Sequence, residues 1–394
     1  MSKIIVENNL RKVLPYYFNV QTYAKQRWEG RSLIDIYKSE LGSSEDLTIN
    51  DIKNGTLYVV ANINKPDLKT TLKGDVLLTR KVESKDLICN SRHVHEPTVP
   101  WFQDEVSTVY EDEEILVVDK PSGVPTHPSG SYFHNSLSEI VKLQFNMESI
   151  WVCHRLDRVT SGVIILGKTK EAGIKFSTLL KNEKDKTKKT YLARVVGKFP
   201  DGRHEYNCPI FGVNMNGYLI PGNVDEVPTD STTIFERIHY NESLNQSIVK
   251  CIPVTGKFHQ IRIHLRNLGY PIANDVFYNP VSEYFIRRCL IEKELYGRLF
   301  AEHPEFAKFK TRLPTMDFIN LKLLTDDNII VQLAEIKRDY AMHLLQQKKS
   351  ICDECKRPMF TEDYGRNSDI WLHALSFSYD KYNFETQLPQ WANI

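Results

Sequence analysis

The sequence predicts an α+β fold. Extended and helical segments are intermixed along the chain without the regular strand–helix alternation of a doubly wound sheet. Several extended segments alternate apolar and polar residues, the period-2 pattern of strands. The length of 394 residues exceeds what one compact core organises, so a division into two or three domains is expected.

The first element, "RWEGRSLIDIYKSEL", places Leu33, Ile34, Ile36, Tyr37 and Leu41 at helical spacing. A second short helix is expected over Thr48–Lys53. The stretch "NGTLYVVANINKPDLKTTLKGDVLLTRKV" then reads as strand, turn, strand, with turn signals at Asn54-Gly55 and Lys73-Gly74. This order resembles an S4-like RNA-binding module; a small, degenerate α+β cap reads the same way. The module is assigned to residues 1–90. "SRHVHEPTVPW" (91–101) carries Pro97 and Pro100, which favour extended backbone, and is expected to be a linker.

The main domain is expected over residues 102–394. "EEILVVDKPSGVPTHPSG" (113–130) is a strand running into a Pro/Gly loop, and 133–146 is helical. In "VCHRLDRVTSGVIILGKT" (152–169), Asp157 lies between Arg155 and Arg158 and directly before an apolar run that reads as a buried strand. "TKKTYLARVVGKF" (187–199) is a strand with Tyr191 near its start. "STTIFERIHY" and "SIVKCIPV" (231–254) are two more. "TGKFHQIRIHLRNLGYPIANDVFY" (255–278) joins loop, helix and turn, and 370–380 is expected as the final strand. Residues 283–310 and 332–350 look helical and strongly charged, and 281–350 is read as an insertion that either helps hold a specific RNA or decorates the surface.

Composition narrows the function. Fifty-one basic residues balance fifty acidic ones for a net charge of +1, which excludes nucleic-acid binding by bulk charge but permits a basic cleft. Seven scattered cysteines suggest reduced thiols. No apolar run approaches the ~20 residues of a membrane span, and the N-terminus has neither a secretory nor an Arg/Ser-rich leader pattern. Cytoplasm is the expected compartment, with mitochondrion and nucleus as alternatives.

An isolated Asp near arginines is most often an ion-pair anchor. Here the hydroxyls and backbone donors of Thr160, Ser161 and Gly162 follow it, and positive charge with donors keeps a carboxylate ionised. Such a group can act as nucleophile or stabilise a developing cation at a sugar. A glycosidase would need a second carboxylate at fixed spacing; Asp119 and Asp275 are each explained otherwise.

These segments together resemble the RluA-type RNA pseudouridine synthases. "HRLDRVTSG" resembles the signature loop, "ILVVDKPSGVPTHP" the first motif, "KKTYLARVVGKF" the tyrosine strand, "PVTGKFHQIRIHLRNLGYPIANDVFY" the long third motif, and "WLHALSF" the closing strand. "RHVHEPTVPW" and the late "CDEC" with "WLHA" further resemble the eukaryotic, fungal-like tRNA branch. The resemblance implies a mixed, mainly antiparallel sheet with a central cleft and outer helices. It implies an isomerase acting on uridine in tRNA, the anticodon-arm region being the expected target.

The implied catalytic residues are Asp157, which attacks the base or the ribose, Tyr191, which stacks on the uracil and assists proton removal from carbon 5, and Arg262, which pairs with the aspartate. Arg155 is implied to fill the gap left by the flipped nucleotide. His154, Thr160, Lys257, His259 and Gln260 are further expected substrate contacts, although buried structural histidines are commoner than ligands. Lys257 and Phe258 stand where the family commonly has Arg and Thr, so the fork of an arginine is lost there.

No cofactor or metal is expected, since the isomerisation involves no net redox change and no hydrolysis. No obligate protein partner is expected either, and the chain is read as a monomer. His259 and His264 are off the i, i+4 metal spacing and lack the Glu of a zinc hydrolase. No deaminase motif is present. Cys352 and Cys355 form a lone CxxC, for which His373 and Cys289 are poorly spaced additional ligands. Reduced thiols in a tight turn are the leading reading and structural zinc the lesser one. The lysine-rich run 181–189 is either a solvated loop or a phosphate contact.

Overall fold

The computed structural model describes residues 4–41, 43–182, 186–208, 210–215, 218–222, 231–275, 278–279, 350–362 and 369–394. The helical readings at 283–310 and 332–350, apart from residue 350, lie outside them. The chain folds as two compact units, one of Leu14–His95 and one of Ile4–Val13 with Glu96–Ile394. No helix of the described residues is long and apolar enough to cross a membrane.

The chain opens with a hairpin that the sequence does not announce, β1 (Ile4–Glu7) and β2 (Leu10–Val13). Asn8 and Asn9 both take positive φ at its turn, which asparagine tolerates better than most residues. This hairpin therefore belongs with the main domain and not with the 1–90 module. Arg11 is buried there, donating to the His134 carbonyl at 2.9 Å and to the Asn135 side chain.

The smaller unit contains β3 (Tyr16–Tyr23), α1 (Leu33–Glu40), α2 (Glu45–Lys53), β4 (Leu57–Ala61), β5 (Thr70–Leu72), α3 (Val76–Thr79) and β6 (Leu87–Val94). Ser32 and Ser44 cap the first two helices through side-chain oxygens. Both helices pack Leu33, Ile36, Tyr37 and Ile52 on Leu57, Val59 and Ile88 of a sheet ordered β3-β6-β4-β5. The expected strand–turn–strand is only half present. The turn signals hold, with Gly55 and Gly74 at φ +70° and +73°, but "VLLT" forms the short helix α3. The expected linker is extended, yet its first residues 91–94 continue β6 and pair with β3.

In the larger unit β7 (Val99–Pro100) pairs with β2. Then follow β8 (Thr108–Glu111), β9 (Ile115–Lys120), α4 (Leu137–Gln144), β10 (Trp151–Val152), β11 (Ser161–Gly167), α5 (Lys170–Asn182), β12 (Lys188–Val196) and β13 (Arg203–Asn207). The hairpin of β14 (Phe211–Met215) and β15 (Tyr218–Gly222), then β16 (Thr232–Asn241), β17 (Gln246–Pro253) and α6 (Gln260–Asn267), come next. The chain ends with β18 (Ser350–Ile351), β19 (Pro358–Met359), β20 (Leu372–Tyr379) and β21 (Tyr382–Glu385). The expected final strand is thus β20, followed by one more.

The main sheet runs β13-β16-β17-β12-β20-β11-β9-β8, with β10 on β11 and β21 on β20. All pairings are antiparallel except β11 with β20. Its middle is covered on both faces, which is why the strands there read as unbroken apolar runs. Leu116, Val118, Ile164 and Leu166 enter one core with Val124, Leu137 and Val141; the alternate residues Ile115, Val117, Val163 and Ile165 enter another with Phe176, Phe377 and Phe384.

The close parallel pair β11–β20 depends on Gly162. Its φ is +114°, and a Cβ there would stand 2.2 Å from the Ala374 carbonyl oxygen. On its other side β20 pairs with β12, where the register shifts between Thr190 and Tyr191. That irregularity turns the strand locally at the tyrosine.

Candidate active site

Asp157 sits in the loop between β10 and β11, its side chain 28 % exposed. The loop's shape is fixed from an unexpected direction, the segment that follows β9. Thr126 Oγ1 donates to the Leu156 carbonyl at 2.9 Å and accepts from the Leu156 amide at 3.3 Å. Ser122 Oγ donates to the Val159 carbonyl, and Lys120 Nζ donates to the Arg158 carbonyl at 3.1 Å. Lys120 is fully buried, and its ammonium also donates to the carbonyls of Pro121 and Val124. Burial, with Arg158 nearby, lowers its pKa to about 7. The first sequence motif thus acts as a clasp on the aspartate loop. The sequence shows only that β9 ends in the charged pair Asp119-Lys120.

α6 supplies the positive charge. Its residues from Gln260 to Leu265 are all buried, with Ile261 and Leu265 in the core that also holds Ala193, Val249 and Leu372. Arg262 Nη1 lies 3.4 Å from Asp157 Oδ2, as the resemblance implies. Its tighter partner is Asp275, met by Nε at 2.6 Å and Nη2 at 2.9 Å in the two-pronged geometry that suits guanidinium and carboxylate. Burial alone would lower the Arg262 pKa, but the charge and hydrogen bonds of Asp275 and the charge of Asp157 raise it, so the guanidinium stays charged. Asp275 is thus engaged by Arg262, whose remaining nitrogen is directed to Asp157.

His259 caps α6 in the left-handed conformation, φ +54°, an uncommon state for a non-glycine residue. Its Nδ1 is 2.9 Å from the Tyr278 hydroxyl and its Nε2 3.5 Å from Asp157 Oδ2. It therefore stands beside the aspartate. Burial opposes ionisation of Asp157, but the charges of His259 and Arg262, the Arg262 hydrogen bond and Lys120 outweigh it and hold the carboxyl below its ordinary range. Tyr191 is shifted upward by burial and then by the negative charge of Asp157, so it remains a neutral phenol.

The other expected contacts divide. Arg155 is exposed and makes no hydrogen bond or ion pair among the described residues, leaving its guanidinium available. Lys257 is half-buried, its amide donating to Gln260 Oε1 at 3.0 Å. Gln260 is buried and committed to its own loop, accepting from Thr255 and donating to the Thr232 carbonyl and the Thr233 hydroxyl. Thr160 is 2 % exposed and closes the aspartate turn through its amide on the Asp157 carbonyl at 3.1 Å.

His154 accepts from the Ile165 amide at 3.1 Å, stacks near Phe377, and is pushed down by burial to a pKa of about 3. Gln260 and Thr160 are thus buried, and His154 is half-buried against the core. His373 likewise bridges Ser161 and Thr386, buried and lowered to about 4 by that burial. His264 bonds Thr233 inside the core, away from the direction His259 takes.

Residues 114–267 match the family model described as RNA pseudouridylate synthase. The tRNA pseudouridine(31) synthase of Saccharomyces cerevisiae is 29 % identical over 100 % of this chain and 98 % of its own length. The mitochondrial tRNA pseudouridine(32) synthase of the same yeast is 31 % identical over 99 % of this chain and 78 % of its own. Human pseudouridylate synthase RPUSD2 is 34 % identical over 98 % and 74 %.

Proposed function

The chain belongs to the RluA-type RNA pseudouridine synthases, and from that premise we propose that it isomerises uridine to pseudouridine in tRNA with Asp157 as its nucleophile. The observation that carries the assignment is the environment of Asp157: a partly exposed carboxylate kept ionised by Arg262 and His259 on a loop clasped from behind. An ionised, positioned carboxylate can form and release a covalent bond to the ribose or the base.

The target nucleotide leaves its stack, at a cost of a few kcal/mol, before Asp157 can reach it. Arg155 stacks in the vacated space. Asp157 attacks, the freed uracil turns, and the new bond forms through carbon 5, whose proton must then leave. Tyr191, held neutral, offers the uracil an aromatic face and a hydroxyl at the end of the reaction path. The N1–C1′ bond is broken and the C5–C1′ bond made, the bond to Asp157 is formed and released, and the proton lost from carbon 5 is balanced by one gained at N1, so no oxidant, reductant or net water is consumed.

The anticodon arm is the proposed target, in keeping with two relatives named for tRNA positions 31 and 32. Cytoplasm is the proposed compartment, with mitochondrion and nucleus as alternatives; one relative is named mitochondrial. The enzyme is proposed to act as a monomer without an obligate protein partner.

The test is incubation of the chain with total tRNA followed by pseudouridine mapping, beside Asp157→Ala. Modification by the wild type and none by the variant is expected. Equal modification by both would remove Asp157 from the mechanism, and no modification of any RNA by the wild type would favour a non-catalytic RNA-binding protein.

A further inference from the structure

Phe258 is used by none of the chemistry above. It lies in the loop between β17 and α6, directly before His259, and is 45 % exposed. A single exposed apolar side chain on a loose loop would need no explanation. This loop is held on both sides of the ring. Thr255 Oγ1 donates to Gln260 Oε1 at 2.8 Å and accepts from the Thr232 amide at 3.1 Å. The Lys257 amide donates to the same Gln260 oxygen at 3.0 Å, and the Gln260 amide returns to the Lys257 carbonyl at 3.3 Å.

The ring itself is supported from one face. It stacks on the His259 imidazole, with centroids 3.7 Å apart and planes 20° from parallel. The two imidazole nitrogens are turned to other groups at the ring edge, Nδ1 to the Tyr278 hydroxyl at 2.9 Å and Nε2 to Asp157 Oδ2 at 3.5 Å. Ring nitrogens bond within the plane of the imidazole, so Phe258 lies one ring thickness to the side of the contact between His259 and Asp157. His259 is its only ring neighbour among the described residues. An aromatic ring on a fixed loop thus stands beside the nucleophile, with nearly half its surface open to receive a second planar group.

We propose that Phe258 stacks on a base adjacent to the target uridine and so helps select and hold the RNA. The proposal rests on the reading of this site as an RNA pseudouridine synthase. In a loop or other unpaired stretch, the bases beside the target can be splayed out and stacked on aromatic side chains. Because the ring is already held by His259 and by its loop, little side-chain freedom is lost when a base settles on it. A phenyl ring stacked on a neighbouring base touches no reacting atom. Phe258 therefore acts on which RNA is bound and how tightly, and leaves the chemical step to Asp157.

The test compares pseudouridine formation by the full chain on a tRNA and on two copies, one lacking the base 5′ of the target and one lacking the base 3′ of it. Phe258→Leu keeps an apolar side chain without a flat face and should lose about tenfold in kcat/KM, chiefly through KM; Phe258→Trp should restore it. The wild type should lose about tenfold on one of the two copies, and Phe258→Leu should lose nothing further on that copy. If Phe258 only props His259 against Asp157, Phe258→Leu lowers kcat by the same factor on all three RNAs. That result overturns the proposal. So does a Phe258→Leu protein within about twofold of the wild type, or a Phe258→Trp protein no better than the leucine variant. The wild-type arm needs no variant to fold, and unchanged turnover on both base-deleted copies also overturns it. A wild type that modifies no RNA removes the synthase reading and this proposal with it, whereas the other adverse results leave the synthase reading intact.

Discussion

Replacing Gly162 with alanine should both destabilise the fold and impair the site. The added Cβ would stand 2.2, 2.6 and 2.7 Å from the oxygen, nitrogen and carbonyl carbon of Ala374, all backbone atoms that no rotamer change can remove. A normal contact requires β20 to retreat by more than about 1 Å in a well-packed sheet. Holding alanine at φ +114° adds about 1–3 kcal/mol of backbone strain. Forcing the strands apart adds about 1–3 kcal/mol of overpacking. A loss near 4 kcal/mol is therefore expected, a large share of the about 5–15 kcal/mol that stabilises a domain.

The displaced strand is also the partner of Tyr191, paired with Ala374. Turnover should accordingly fall through kcat more than through KM, because the tyrosine shifts against the bound base. Denaturant titration and pseudouridine formation on the same preparation read both effects. A Gly162→Ala protein with a midpoint within about 0.5 kcal/mol of wild type and unchanged kcat would refute the argument that this glycine is demanded by the β11–β20 approach.

Asp275→Asn keeps the shape but removes the closest countercharge of buried Arg262. Breaking such a pair costs about 3–5 kcal/mol, and because Arg262 retains Asp157 the lower end is expected; a denaturation shift under about 1 kcal/mol would show the pair to be dispensable. The acid limb of kcat/KM should lie below the ordinary Asp value of 3.8, because the folded pKa of Asp157 is depressed. Its stabilising ionisation is then complete above that ordinary value and disappears only as pH falls through the lower folded one. Arg262→Gln should move the limb upward in a pH–rate profile, and an unmoved limb would contradict the pairing. Arg155→Ala should reduce turnover on folded tRNA more than on an unstructured oligonucleotide with the same target, and equal losses would argue against gap filling.

The strands around Asp157 are legible in the sequence because they are covered on both faces, so burial is written as an uninterrupted run such as "VIIL". Asp157, Arg262 and Tyr191 can be named because each sits in a distinctive string. What stays hidden depends on contacts across the chain. Nothing in "DKPSGVPT" announces that Lys120, Ser122 and Thr126 reach residues 156–159, and nothing in "IANDVFY" says that Asp275 binds Arg262 more closely than Asp157 does. Gln260 beside His259 suggests a second contact, yet neighbours at a helix start diverge, one toward the carboxylate and one into the core. The hairpin at Asn8–Asn9 and the turn of helix at "VLLT" are silent because elements of four residues carry too little periodicity to read.

The clasp on the aspartate loop has a consequence for a polyanionic substrate. Each backbone oxygen from Leu156 to Val159 is already engaged by a donor of the protein: Thr126 on Leu156, the Thr160 amide on Asp157, Lys120 on Arg158, and Ser122 with the Ile370 amide on Val159. A phosphate approaching this loop therefore meets no unengaged carbonyl dipole from Leu156 to Val159, while the side chain of Arg155 beside them is exposed.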